Sequence, residues 1–174
     1  MGDEVWYAMC CGLILVAVGL IIFFIFYLVG GRRTKNNDAW KQAATELGLD
    51  FTPVTRMLGK YRMSGVIGKQ LSCSVWAHTE QHGQSSITYM NYDVKFSPPV
   101  NLVSVSNSPH FQSKFAEVRN VLKNLEVSGD SIKATRVRGF IRKSEILVQN
   151  VKLLIQLAEL IIPNEEVDSI FEEI

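Results

Sequence analysis

Cysteine is scarce in this chain, and its placement is as informative as its number. Of three cysteines, Cys10 and Cys11 are neighbours inside an apolar run, and Cys73 stands alone in the remainder. The folded part therefore has no partner for an internal disulfide, which fits a reducing compartment. No CxxC pair is present, and neither are the glycine-rich phosphate motifs GxxxxGK[ST] and GxGxxG or the GxSxG nucleophile elbow. The nucleotide-binding and hydrolase chemistries that depend on those spacings thus have no support. Histidine is limited to three residues and proline to five, and no low-complexity tract or internal repeat interrupts the 174 residues. Charge is missing over a longer stretch: nothing between Glu4 and Arg32 is charged.

That uncharged run, Val5 to Gly31, is 27 residues long. As a helix it reaches ~40 Å, against a hydrocarbon core of ~30 Å, so it predicts one transmembrane helix with some tilt. Trp6 and Tyr7 mark one interface and Tyr27 the other. Arg32, Arg33 and Lys35 follow the run, whereas Asp3 and Glu4 precede it. Basic flanks stay on the cytoplasmic side, which places the N-terminus outside and the following domain in the cytoplasm, at the cell (inner) membrane. A cleaved signal peptide is the rival reading; it lacks a basic n-region here and the apolar stretch is too long for it. Ala8, Gly12 and Gly19 put small residues on one face, a candidate helix–helix contact.

About 140 residues remain, enough for one domain with its own core. The expected organisation is a short head at 1–4, the membrane helix at 5–31, a linker at 32–37, an α+β domain at 38–162 and an acidic amphipathic tail at 163–174. All 18 Lys and Arg fall between Arg32 and Lys152, and the stretch 32–162 holds only 10 acids, a net of +8. The last eleven residues carry Glu165, Glu166, Asp168, Glu172 and Glu173 and no base. A basic body favours anionic surfaces, and for a tethered domain the nearest is lipid, so no nucleic acid is expected as partner. Arg136, Arg138, Arg142 and Lys143 form the densest basic run and are candidate anionic-lipid contacts.

The apolar spacing sets the element order. Asn37 or Asp38 is placed to cap a helix over Ala39–Leu47 that buries Trp40, Ala43, Ala44 and Leu47, with Gly48 ending it in the left-handed conformation. Phe51–Thr55 predicts an edge strand because of Pro53. Tyr61–Ile67 alternates, Gly68-Lys69 reads as a two-residue turn, and Gln70–His78 alternates with Leu71, Cys73, Val75 and Ala77 inward. A polar turn at Glu80–Ser85 leads to Ile87–Phe96, and Val100–Ser106 reads as another strand. Phe111–Leu125 has helical spacing, Ile132–Ile141 predicts a strand, and Ser144 is placed to cap a helix over Glu145–Ile162. The expected fold class is α+β: an antiparallel β-meander of four or five strands packed with helices on one face.

Three stretches resemble an uncharacterised group of bacterial membrane-anchored α+β domains. They are Trp40–Leu49 with its Leu47-Gly48-Leu49 ending, Met63–Cys73 with its glycine hairpin, and Val137-Arg138-Gly139 followed by a helix ending Leu157-Ala158-Glu159-Leu160. The resemblance covers most of the domain. It implies the tethered α+β architecture and carries no activity.

Candidate chemistry is sparse. His78 and His82 have a spacing that suits two zinc ligands on a helix, but they are expected to straddle a turn with no third ligand. Cys73 shares a face with Leu71 and Val75 and reads as a small core residue. Trp76, Tyr89 and Tyr92 near Lys95 suggest base stacking, yet Tyr89 and Tyr92 point to opposite faces. No cofactor and no metal is expected. The leading expectation is a non-catalytic, membrane-tethered interaction domain, an accessory subunit that meets other membrane proteins or further copies of itself. The alternative is a membrane-anchored enzyme using His78, His82 or Cys73. In the tail, Val167, Ile170, Phe171 and Ile174 form one apolar stripe, expected to dock on the basic body or in a partner's groove.

Overall fold

Apolar side chains spaced three and four apart along residues 40–47 give the chain a helical stripe to bury, and alternation through residues 62–96 gives it a sheet to bury the stripe on. The structure, a computed structural model, describes residues 2–54, 60–103 and 105–162; in helix α1 (Gly2–Glu46) before Asn37 it describes the side chains of 16–24, 27, 31 and 33–36. The chain falls into two units, Met1–Asn36 and Asn37–Ile174.

The first unit is the N-terminal part of α1. Val16, Val18, Leu20, Ile21, Ile22, Phe23, Phe24 and Tyr27 are 46–70% exposed. Five consecutive positions, Leu20 to Phe24, sample every side of a helix, so this segment has no polar face. Among the described residues no helix is both long and apolar enough to cross a membrane. The predicted span Val5–Gly31 lies only partly within the described side chains, and those of Ala8 and Gly12 lie outside them. A Cβ at Gly19 would meet nothing within 4 Å.

The linker expected at 32–37 is helical: α1 runs through it without a break, and neither Asn37 nor Asp38 is a cap. The Asn37 amide instead bonds the chain beyond strand β1 (Asp50–Thr52), accepting from the Val54 N–H at 3.3 Å and donating to the Val54 carbonyl at 3.4 Å. A polar side chain satisfied sideways in this way has no need to interrupt the helix. At its far end, Gly48 has φ +66° and donates to the Thr45 carbonyl, while the Leu49 N–H reaches the Ala44 carbonyl at 2.8 Å. This paired arrangement closes a helix around a left-handed residue.

The second unit is built on a six-stranded antiparallel sheet in the order β1-β2-β3-β4-β6-β5. Strand β1 stops before Pro53 and lies at one edge, as a residue without an N–H requires. Strand β2 (Arg62–Ile67) pairs with β3 (Leu71–His82) so that Ile67 faces Leu71. The turn is therefore three residues, Gly68 to Gln70, not two; Gly68 sits at φ +63°. A two-residue turn would slip the register and turn Leu71 and Cys73 outward. Strands β3 and β4 (Ser85–Phe96) pair as far as His82 and Ser85, around a tight turn at Gly83 and Gln84. The polar segment Glu80–Ser85 is thus mostly strand, and His78 and His82 lie on β3 rather than across a turn.

None of the described residues of Val100–Ser106 lies in a strand. Both neighbours of β4 are already in place, and the segment keeps one bond to the sheet's rim, from the Val100 N–H to the Gly129 carbonyl at 2.8 Å. Helix α2 (Pro109–Val121) ends before Leu125, which opens an unexpected edge strand, β5 (Leu125–Val127). Strand β5 forms a hairpin with β6 (Ser131–Arg138) through Ser128-Gly129-Asp130, where a side chain at Gly129 would come within 2.8 Å of the Val100 carbonyl oxygen. Helix α3 (Ser144–Glu159) stops three residues short of Ile162, and Ser144 does not cap it: its hydroxyl bonds the Gln42 side chain at 3.2 Å.

The core lies between the inner sheet face and the helices. Trp40, Met63, Val75, Met90, Tyr92 and Leu154 are fully buried there. Trp40 donates its indole N–H to the Ile141 carbonyl at 3.2 Å and stacks on Phe140 at 6.1 Å. The buried Tyr92 hydroxyl accepts from the Asn150 amide at 3.0 Å, so both polar groups are satisfied.

Candidate functional site

Among the described residues of the second unit, helices cover only one face of the sheet. On the other face, alternate residues of β3 project a polar surface: Ser72, Ser74 and Trp76 are half-buried between buried neighbours, and His78 and Glu80 continue the row, half-buried, toward the exposed end of the strand. Glu80 is the centre of the most connected group. Its carboxylate accepts from the Arg136 guanidinium at 2.7 Å, and His82 Nε2 and His78 Nε2 lie 3.4 and 3.9 Å from it.

Arg136 reaches that position because β6 carries a bulge. Met90 pairs with Val137 and Tyr92 with Ala134, so two residues of β6 stand opposite Asn91. The extra residue, Arg136, adopts φ +54°, and its backbone N–H bonds the Asn91 side chain at 3.0 Å. The bulge re-aims the guanidinium over the Tyr89 ring, 5.2 Å from its centroid, and onto Glu80. The residue missed was Asn91, a buried amide on the polar side of β4 that satisfies the bulged backbone; the alternation of β4 does not set it apart from Asp93 and Lys95.

His78 and His82 are about half exposed, at 43% and 51% of their side-chain surface. No set of three His, Cys, Asp or Glu among the described residues could hold a metal ion. Cys73 does not join them. It points to the inner face, 1% exposed, and burial pushes its thiol up to about 12, helped by the charge of Asp93. It is a protonated core residue with no route to solvent. The residues named for an enzyme thus stand on opposite faces of one sheet and do not converge.

The predicted basic contacts separate as well. Arg136 is committed to Glu80, and Arg138 stands opposite Tyr89 on β6. Arg142 and Lys143 are exposed in the loop before α3, next to Ile141. Arg32, Arg33 and Lys35 belong to the first unit. Val167, Ile170, Phe171 and Ile174 lie outside the described residues.

The rest of the open face is held by pairs of opposite charge and by hydroxyls. Lys95 Nζ lies 4.0 Å from Asp93, and the Thr79 and Thr88 hydroxyls share a bond at 3.0 Å across β3 and β4. The other Asp93 carboxylate oxygen is buried without a partner among the described residues. Among the described residues, this face thus exposes charge beside the half-buried rings of Trp76 and Tyr89. No family model, no curated protein and no solved structure matches the chain.

Proposed function

We propose that the chain is a single-pass membrane protein whose α+β unit is a non-catalytic interaction module, serving as an accessory subunit on the cytoplasmic side of the inner membrane. The observation that carries this reading is the apolar surface of α1 over Val16–Phe24, exposed on every side of the helix. Water does not tolerate such a segment, and a helix apolar all round is at home in lipid or in the core of a larger assembly. The 27-residue uncharged run around it has the length to span, and Arg32, Arg33 and Lys35 set the orientation. The resemblance to bacterial membrane-anchored domains agrees with it.

Support for a binding role comes from the second unit, whose histidines, Glu80 and Arg136 are partly exposed and mutually paired on an open sheet face. Alkaline carbonate extraction of membranes tests the anchor: the chain is expected to stay with the membrane. An added cysteine at Asn107, probed on intact cells with an impermeant thiol reagent, tests the orientation. Labelling there, or release of the chain by carbonate, overturns the corresponding half of the proposal.

A further inference from the structure

The open sheet face has a charge pattern that the described residues do not complete. Five bases project from it: Arg62 on β2, Lys95 on β4, and Lys133, Arg136 and Arg138 on β6. Arg136 is engaged by Glu80 and Lys95 lies near Asp93. Arg62, Lys133 and Arg138 are exposed, and no described carboxylate lies within ion-pair distance of them. The face has two further acids, Asp50 beside Ser64 on β1 and Glu126 opposite Lys133 on β5, and neither pairs with a described base, so three bases and two acids stand unpaired on it. Among these charges Trp76 and Tyr89 are half-buried diagonal neighbours on β3 and β4, with Ile87 beyond Tyr89 on the same strand face.

The chain also holds a segment of the opposite character. Residues 163–174 carry five acids and no base, with Val167, Ile170, Phe171 and Ile174 on one helical stripe. Eleven or twelve residues cannot hold a stable helix alone in water, so a stripe of this kind needs a surface. Acids beside apolar side chains fit bases beside aromatic ones.

We infer that the open face of the sheet is a docking surface for an acidic, apolar-striped segment, and that its occupant is this chain's own residues 163–174. The tail then covers Trp76 and Tyr89 and neutralises Arg62, Lys133 and Arg138. The inference stands apart from the membrane anchor and survives if the anchor reading fails.

The test uses the full chain in detergent micelles. With Tyr89→p-benzoylphenylalanine, photo-cross-links are expected within 163–174 of the same chain, at monomer mass. They should fall at least tenfold when Glu165, Glu166, Glu172 and Glu173 become Gln and Asp168 becomes Asn, or in 1 M salt, where the screening length shrinks to ~3 Å. Cross-links elsewhere, cross-links to the tail at dimer mass, or cross-links indifferent to charge and salt each overturn the inference. A second measurement avoids any disturbance at Tyr89. Hydrogen exchange of residues 163–174 should accelerate at least tenfold in the Arg62→Glu, Lys133→Glu, Arg138→Glu variant, whose altered positions are all on the surface; an unchanged rate also overturns it.

Discussion

Two segments in and just beyond helix α1 carry apolar side chains in quantity and dispose of them in opposite ways. Over residues 40–47, Trp40, Ala43, Ala44 and Leu47 fall at i, i+3, i+4 and i+7; they are 5% exposed or less, while Lys41, Thr45 and Glu46 take the solvent side. Over residues 16–24 there is no polar side, and the large apolar side chains stay 46–69% exposed. The first pattern is matched to a sheet face, the second to an environment apolar in every direction. Spacing, more than apolar content, decides which kind of surface a helix needs.

The sharpest way to break that comparison is to truncate one large side chain in each segment. Trp40→Ala should destabilise the second unit by about 3–5 kcal/mol, because it empties the centre of the core and leaves the Ile141 carbonyl without its donor. Phe23→Ala should leave the unfolding midpoint of that unit within about 0.5 kcal/mol. Denaturant unfolding of the full chain in detergent, followed by far-ultraviolet circular dichroism, gives both numbers. Equal losses would mean that the two segments are not energetically distinct.

Ile21→Arg probes the other half. A central arginine costs about 2.5–3.5 kcal/mol of insertion, so the fraction resisting carbonate should drop, with the second unit's melting temperature unchanged. Retention in the membrane at the parental level would show that the exposed apolar surface packs on protein instead.

Inside the core, Tyr92→Phe removes the acceptor of the Asn150 amide and should cost about 1–3 kcal/mol by leaving a buried donor unpaired. Restoring stability with Asn150→Leu in the same background would identify the unpaired amide as the source of the loss.

Alkaline pH separates inner from outer face. Burial raises both the Cys73 thiol and the Tyr92 hydroxyl to about 12. Each group binds its proton more tightly folded than unfolded. Stability from this source is therefore complete below about pH 9 and is lost as pH rises toward 12, on the order of 1 kcal/mol per pH unit when one group titrates. Cys73→Ala should flatten the start of that decline. The outer-face pair should matter least: Glu80→Ala is expected to cost no more than about 1 kcal/mol, since Arg136 is 57% exposed and the carboxylate 29%. A larger loss, read from the same unfolding curves, would make the bulge dependent on the ion pair.

Much of the second unit is legible in its residues. Alternation in 71–77 fixes which side chains face inward, and the spacing of Trp40 to Leu47 with Gly48 places the helix end, because both rest on local geometry. The strand β5 is not legible: three residues after a helical pattern have no period to read, and pairing with β6 alone makes them a strand. Val100–Ser106 fails in the reverse direction: its composition is strand-like, yet both sides of β4 are already taken, and Val100 bonds the hairpin at Gly129 instead. The Glu80 group was hidden for a related reason. Fifty-six residues separate Glu80 from Arg136, and only the bulge at Asn91 turns that guanidinium toward β3.

The sequence by itself determined the uncharged 27-residue run, the basic flank behind it, the α+β class and the inward set of β3, all of which are properties of neighbours along the chain. The tertiary structure alone decided the strand order, the continuity of α1 through 32–37, the separation of Cys73 from the histidines, and the placing of Arg62, Lys133 and Arg138 on one uncovered face. Those outcomes turn on hydrogen bonds and register between strands distant in sequence, and a register is set by which strands find each other, a choice no single segment makes alone.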